Sequence, residues 1–136
     1  MAVYRIAFDI TKKYEGGYQA WEDDNGNWTG GKKGKGILIG TNRGVTAYEY
    51  AAYLGKTPTI QEMKDMPANV PFEIFKKKYW DVMKGDAIIN QEVANHIFDM
   101  CINAGNSIGI KLAQRVLGLN ETGVMNNETL IELNKL

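Results

Sequence analysis

Glu15 is followed by Gly16-Gly17-Tyr18 and then, within nine residues, by Glu22, Asp23 and Asp24. A carboxyl placed where an amphipathic helix gives way to two glycines can face a cleft instead of a core. Glycine readily takes φ > 0, so the chain is expected to turn sharply just after the acid. The negative end of the helix dipole disfavours a carboxylate at Glu15, which suits a group that must hold a proton and then give it up. A second carboxylate in a polar, hydrogen-bonded loop would stay ionised. One acid and one carboxylate are what hydrolysis of a glycosidic bond requires: the first protonates the leaving oxygen, the second activates water or stabilises the oxocarbenium-like transition state. Glu15 is the candidate acid. Glu22, Asp23 and Asp24 are the candidates for the second group, and turn chemistry alone also makes Asp24 the opening residue of an Asx-turn.

Other chemistries find less support. The sequence has no Gly-x-Ser-x-Gly elbow, P-loop or dinucleotide fingerprint. Gly31-Lys32-Lys33-Gly34-Lys35-Gly36 is glycine- and lysine-rich but lacks a Ser or Thr after a lysine. Cys101 and His96 stand five apart in a helical pattern, off the i, i+4 row, so they do not make a nucleophile–base pair. His96 has no Cys, His or carboxylate at ligand spacing, and neither a metal nor a cofactor is implied. Cys101 reads as a buried small hydrophobe.

The elements that must position these groups are mostly helices. Val3, Ile6, Ala7, Ile10 and Tyr14 recur at helical spacing and predict one helix over Ala2–Tyr14, with that stripe buried and Lys12-Lys13 at its last turn. Residues 19–40 form a turn-rich lobe holding Trp21 and Trp28, with Gly36–Gly40 as a candidate strand. Thr46 caps a helix over Ala47–Leu54 stopped by Gly55. Thr59 with Glu62 forms a capping box on the next helix, whose Ile60, Met63 and Met66 face inward. Pro71–Met83 is a helix with Phe72, Phe75, Tyr79, Val82 and Met83 in one stripe. Asn90 caps the longest element, Gln91 to about Ala104, and helices over Ile108–Leu117 and Glu128–Leu136 follow. The expected class is mainly α, in two lobes with a small β or loop lobe after the first helix.

A chain of 136 residues is expected to form one domain, or one domain with a small appendage, and its formal net charge of zero lacks the basic excess of a non-specific nucleic-acid binder. One cysteine permits no intrachain disulfide. No stretch approaches a membrane span, and the N-terminal segment, broken by Arg5 and Asp9, lacks the apolar core of a secretory signal.

Together these motifs resemble a known family. The helix ending in Glu15-Gly16-Gly17-Tyr18, the Asp24-Asn25-Gly26-Asn27-Trp28-Thr29-Gly30-Gly31 run and the Gly40-Thr41-Asn42-Arg43-Gly44-Val45-Thr46 run are similar to glycoside hydrolase family 108, lysozyme-like N-acetylmuramidases of phages and bacteria. The likeness continues through Tyr79-Trp80-Asp81, Gly85-Asp86 and Phe98-Asp99. Beyond Ala104-Gly105, the Ala113-Gln114-Arg115 and Thr122-Gly123 segments look like the peptidoglycan-binding segment that follows in that family. The resemblance implies a lysozyme-like fold, with residues 1–90 as catalytic region and 91–136 as a peptidoglycan-binding-like helical segment packed into the same domain. It makes Glu15 the catalytic glutamate. In the broader phage-type lysozymes eight residues separate the Glu from an Asp, which here matches Asp24, while five more residues separate that Asp from a Thr, which would fall one past Thr29. Tyr18, Trp28, Thr29, Thr41 and Thr46 are the candidate substrate-binding residues.

The expected activity is cleavage of the β-1,4 bond between N-acetylmuramic acid and N-acetylglucosamine in peptidoglycan. The alternatives are a lytic transglycosylase and a non-catalytic wall-binding or secretion-associated module. The expected partner is the peptidoglycan glycan strand, engaged by a monomer without nucleic acid or membrane insertion. Such a protein would be made in the bacterial cytoplasm and would act on the periplasmic wall after holin-type or other non-classical release.

Overall fold

The computed structural model describes residues 1–12 and 16–136, with Lys12 described in its backbone alone. The chain divides into two compact units, Met1–Lys13 with Phe75–Leu136, and Tyr14–Ile74. Among the described residues helix dominates: α1 (Tyr4–Lys12), α2 (Ala47–Leu54), α3 (Ile60–Lys64), α4 (Asn69–Phe75), α5 (Gln91–Ala104), α6 (Asn106–Val116) and α7 (Asn127–Leu133). The sheet is a two-stranded antiparallel pair, β1 (Thr41–Asn42) with β2 (Val45–Thr46). No helix among the described residues is long and apolar enough to cross a membrane.

In the first unit α5 is the central helix. The Asn90 side chain accepts from Val93 N at 3.1 Å and starts it, and Gly105 ends it. Ala94, Ile97, Phe98 and Cys101 form its buried band, and His96 is exposed. Helix α1 buries Tyr4, Ala7, Phe8 and Thr11, and leaves Val3, Ile6 and Ile10 nearly half exposed. This corrects the sequence expectation for Val3, Ile6 and Ile10, whereas Ala7 is buried as expected and Tyr14, the last of that stripe, lies outside the described residues. Both stripes satisfy the helical period, and the one holding Tyr4 and Phe8 is buried because it meets the rings of Trp80, Phe98 and Phe75. The Tyr4 ring lies 5.6 Å from Phe98 and 5.5 Å from Trp80, and Phe8 lies 6.3 Å from Phe75. Burial, reinforced by the Asp81 carboxylate, pushes the Tyr4 phenol well above its ordinary value.

The helix expected over Pro71–Met83 starts earlier, at Asn69, and changes pitch. Residues Lys76–Trp80 form a π-helical turn, closed by Asp81 N donating to Lys76 O at 2.8 Å. Widening the turn by one residue brings Trp80 onto the side of Phe75, so Trp80 is fully buried and Val82, expected inside, is exposed. The Trp80 indole N–H donates to Asp86 Oδ1 at 2.8 Å. Helix α6 crosses close to α5, where Gly109 sits against Cys101 with no room for a Cβ. Asn126 caps α7 by accepting from Thr129 N at 2.9 Å.

In the second unit the expected Thr46 cap and the expected Thr59 capping box are present, and Thr46 too forms a capping box, with Glu49. The Thr46 hydroxyl accepts from Glu49 N at 3.1 Å on α2, and Thr59 does the same for Glu62 at 3.0 Å on α3. Gly55 ends α2 in the left-handed region. Met63 and Met66 are buried as expected, whereas Ile60 is exposed, because it is the first residue after the cap and lies ahead of the buried turn. The Asn42 amide donates to Met63 O at 2.9 Å and Lys64 O at 3.2 Å, tying β1 to the end of α3. The strand expected over Gly36–Gly40 does not form. Gly36 and Gly40 both take left-handed φ, which breaks the extended run at each end, and Leu38 alone pairs, with Trp28. The strands lie next door, around a two-residue turn in which Arg43 and Gly44 both have positive φ.

Candidate active site

Glu15 lies outside the described residues. Its neighbours Gly16 and Gly17 are exposed and have nothing within 4 Å of the position of a Cβ. The positive-φ glycines among the described residues begin at Gly31 and do not include Gly17.

From Tyr18 onward the second unit builds a polar loop around one buried amide. Asn27 is 0% exposed. Its backbone carbonyl accepts from Ile39 N at 2.9 Å and Gly40 N at 3.0 Å. Its side-chain Nδ2 donates to Gln19 Oε1 at 2.7 Å and to Trp21 O at 2.9 Å, and its Oδ1 accepts from the Thr41 hydroxyl at 2.6 Å. Gln19 in turn pairs by backbone with Thr41, N to O in both directions at 2.9 and 2.8 Å. Every polar atom of the Asn27 side chain is thus matched, as burial demands.

Asp24 stands at the exposed edge of this network. Its Oδ1 accepts from Gly26 N and its Oδ2 from Gln19 Nε2, each at 2.9 Å. It therefore is the Asx-turn residue foreseen from turn chemistry, and it opens the short turn Asn25–Asn27. Each oxygen keeps a further lone pair facing solvent. The two neighbouring acids are placed differently. Asp23 pairs with Lys33 Nζ at 2.5 Å, and the hydrogen bond and charge of that ammonium hold its carboxyl below the usual range. The backbone carbonyl of Glu22 accepts from the Trp28 indole at 2.9 Å.

The network brings Asp24 and Thr41 together through the amides of Gln19 and Asn27. The remaining candidate side chains make intramolecular bonds. The Tyr18 hydroxyl donates to Ile39 O at 2.6 Å, and the Lys64 ammonium lies over its ring at 5.2 Å. Gly40 packs on that ring: a Cβ there would stand 2.7 Å from it. The Thr29 hydroxyl accepts from Ile37 N at 3.0 Å. Thr46 uses its hydroxyl in the α2 cap and rests its methyl against Gly26. Gln19 and Asn27 were not foreseen from the sequence. The signal for Asn27 was its place between Gly26 and Trp28 in a turn, but its role depends on Thr41, fourteen residues on. Among the described residues no group of three or more His, Cys, Asp or Glu is gathered as a metal site would require.

A family model described as Glycosyl hydrolase 108 matches residues 8–105. The chain belongs to glycosyl hydrolase family 108. The matched segment of this family-108 chain contains Glu15, the whole Asn27 network and Asp24, and ends where α5 ends. The structure of Brucella abortus SagA is similar over 98% of this chain and 69% of that one, with 26% sequence identity and a TM-score of 0.71. No curated protein is similar enough to match. The fold is mainly α and lysozyme-like, with a small sheet in the lobe after the first helix.

Proposed function

We propose that this family-108 protein is a peptidoglycan hydrolase of the N-acetylmuramidase type, cleaving the β-1,4 bond between N-acetylmuramic acid and N-acetylglucosamine. Glu15 protonates the glycosidic oxygen, and Asp24 orients the attacking water through the lone pairs its two hydrogen bonds leave free. The observation that carries this reading is the family match across the segment holding both groups. It is supported by the fixed geometry of Asp24, whose carboxylate is exposed yet restrained at both oxygens. A water held by such a carboxylate needs no metal. The protein acts as a monomer on the glycan strand of the periplasmic wall, and residues 91–136 form a helical, peptidoglycan-binding-like segment.

Product analysis on purified walls tests this. A muramidase leaves N-acetylmuramic acid at new reducing ends. Anhydro-muramic termini would instead show a transglycosylase, in which the sugar's own hydroxyl attacks and Asp24 has no water to orient.

A further inference from the structure

Trp21 combines a fixed backbone with a free side chain. Its N–H donates to Gln19 Oε1 at 3.0 Å and its carbonyl accepts from Asn27 Nδ2 at 2.9 Å, so both peptide groups are held by side chains of the buried network. Its indole is 74% exposed, far more than Trp80, which is fully buried. Trp28 is half-buried, with its indole N–H bonded to Glu22 O. A large apolar ring held out in water on a rigid base gains nothing for folding, and such placement suits a ligand that covers the ring.

The surroundings of Trp21 indicate the ligand's chemistry. The same Gln19 amide that holds the Trp21 N–H also holds the Asp24 carboxylate. Along the chain its neighbours Gln19, Glu22, Asp23 and Asp24 are polar or acidic, and the fifth, Ala20, has only a methyl group. A lipid or a protein hot spot would meet further apolar surface beside the indole. A pyranose, with one face of C–H groups and a rim of hydroxyls, matches a flat ring set beside amide and carboxylate groups.

We infer that Trp21 is a sugar-stacking platform that sets the register of the glycan strand relative to Asp24, with Gln19 and Asn27 as the bracket holding the two at a constant spacing. This rests on the proposed glycan substrate. Trp21 binds a ring away from the bond being broken, so it contributes equally to ground and transition states and affects KM instead of kcat.

The test uses the full chain with Trp21→Ala and Trp21→Phe, on purified peptidoglycan and on a soluble tetrasaccharide prepared from it. Trp21→Ala raises KM about tenfold with little change in kcat, and Trp21→Phe recovers most of that loss. Since the indole is exposed, both variants keep the wild-type circular dichroism spectrum. In a Glu15→Gln background the tetrasaccharide shifts the tryptophan emission to the blue, and replacing Trp21 by Phe removes the shift. An unchanged KM in Trp21→Ala, or an emission shift that survives the loss of Trp21, overturns the platform. Failure of the catalytic reading looks different: Glu15→Gln would clear walls as fast as wild type, whatever the emission shows.

Discussion

Gln19 Nε2 donates to Asp24 Oδ2 at 2.9 Å, and this bond makes the exposed carboxylate part of a buried network. Asp24 opens the turn, and the proposed mechanism adds a second role that substitution can separate from the first. Asp24→Asn keeps an oxygen for Gly26 N, so the turn survives and stability falls by about 1 kcal/mol or less. Its charge is lost, and with it the group that orients water, so wall-clearing slows about 10²-fold or more. A turbidity assay paired with a thermal melt checks this, and full activity in Asp24→Asn would reduce Asp24 to a turn residue.

Asn27→Ala removes the hub itself. Trp21 O keeps its bond from Asp24 N and Gln19 Oε1 its bond from Trp21 N, so each loses one of two partners, while the Thr41 hydroxyl loses its acceptor. Leaving a buried polar group unmatched costs roughly 1–3 kcal/mol where water cannot enter. Urea unfolding of this variant is expected to show a loss of about 2 kcal/mol. A loss of a few tenths would mean that water replaces the amide and the network is not a rigid frame.

How far the sequence revealed this arrangement depended on how local each determinant is. Thr46, Gly55, Asn90 and Gly105 were readable because a cap bonds a backbone group three or four residues away. The buried face of α1 was not, because two stripes had the same period and the choice was made by Trp80 and Phe98, far along the chain. Val82, expected inside, is exposed because a π-helical turn shifts the phase by one residue, and nothing in Lys76-Lys77-Lys78 announces that turn. In the candidate site the sequence singled out Asp24, whose Asx-turn is local. It did not single out Gln19 or Asn27, whose bonds meet across the loop. Glu15 itself falls outside the described residues, so its assignment rests on the family match and on the chemistry the motif requires.

Gln114 plays for α6 and α7 the part Asn27 plays for the polar loop. It is fully buried, its two amide N–H bonds are shared among Thr122 Oγ1, Val124 O and Thr129 Oγ1, each 3.0 Å from Nε2, and its Oε1 accepts from Gly123 N at 3.0 Å. Gln114→Leu fills the space but strands those partners, at a cost of about 3 kcal/mol and roughly 10 °C in Tm. Gln114→Glu should be no better, since a carboxylate cannot donate to the three acceptors. An unchanged melting curve for Gln114→Leu would show that the segment after α6 is held by its apolar contacts alone.

Cys101 gives a pH dependence with a defined sign. Burial pushes its thiol from about 9 up to about 11. The unfolded chain therefore ionises first, and the unfolded state binds fewer protons between those values. Stability from this group is intact below about pH 9 and is lost as pH rises toward 11. At neutral pH the thiol stays protonated and covered. Ellman's reagent should label it only at the rate of unfolding, and immediate labelling of the native protein would contradict the buried placement.

The most direct test of the central claim compares wall clearing by wild type and Glu15→Gln, with folding verified by the thermal melt. General acid catalysis contributes about 10²–10⁴-fold, so the variant should lose at least about a hundredfold in rate while still sedimenting with walls. Clearing at the wild-type rate would contradict Glu15 as the proton donor and, with it, the mechanism proposed for this protein.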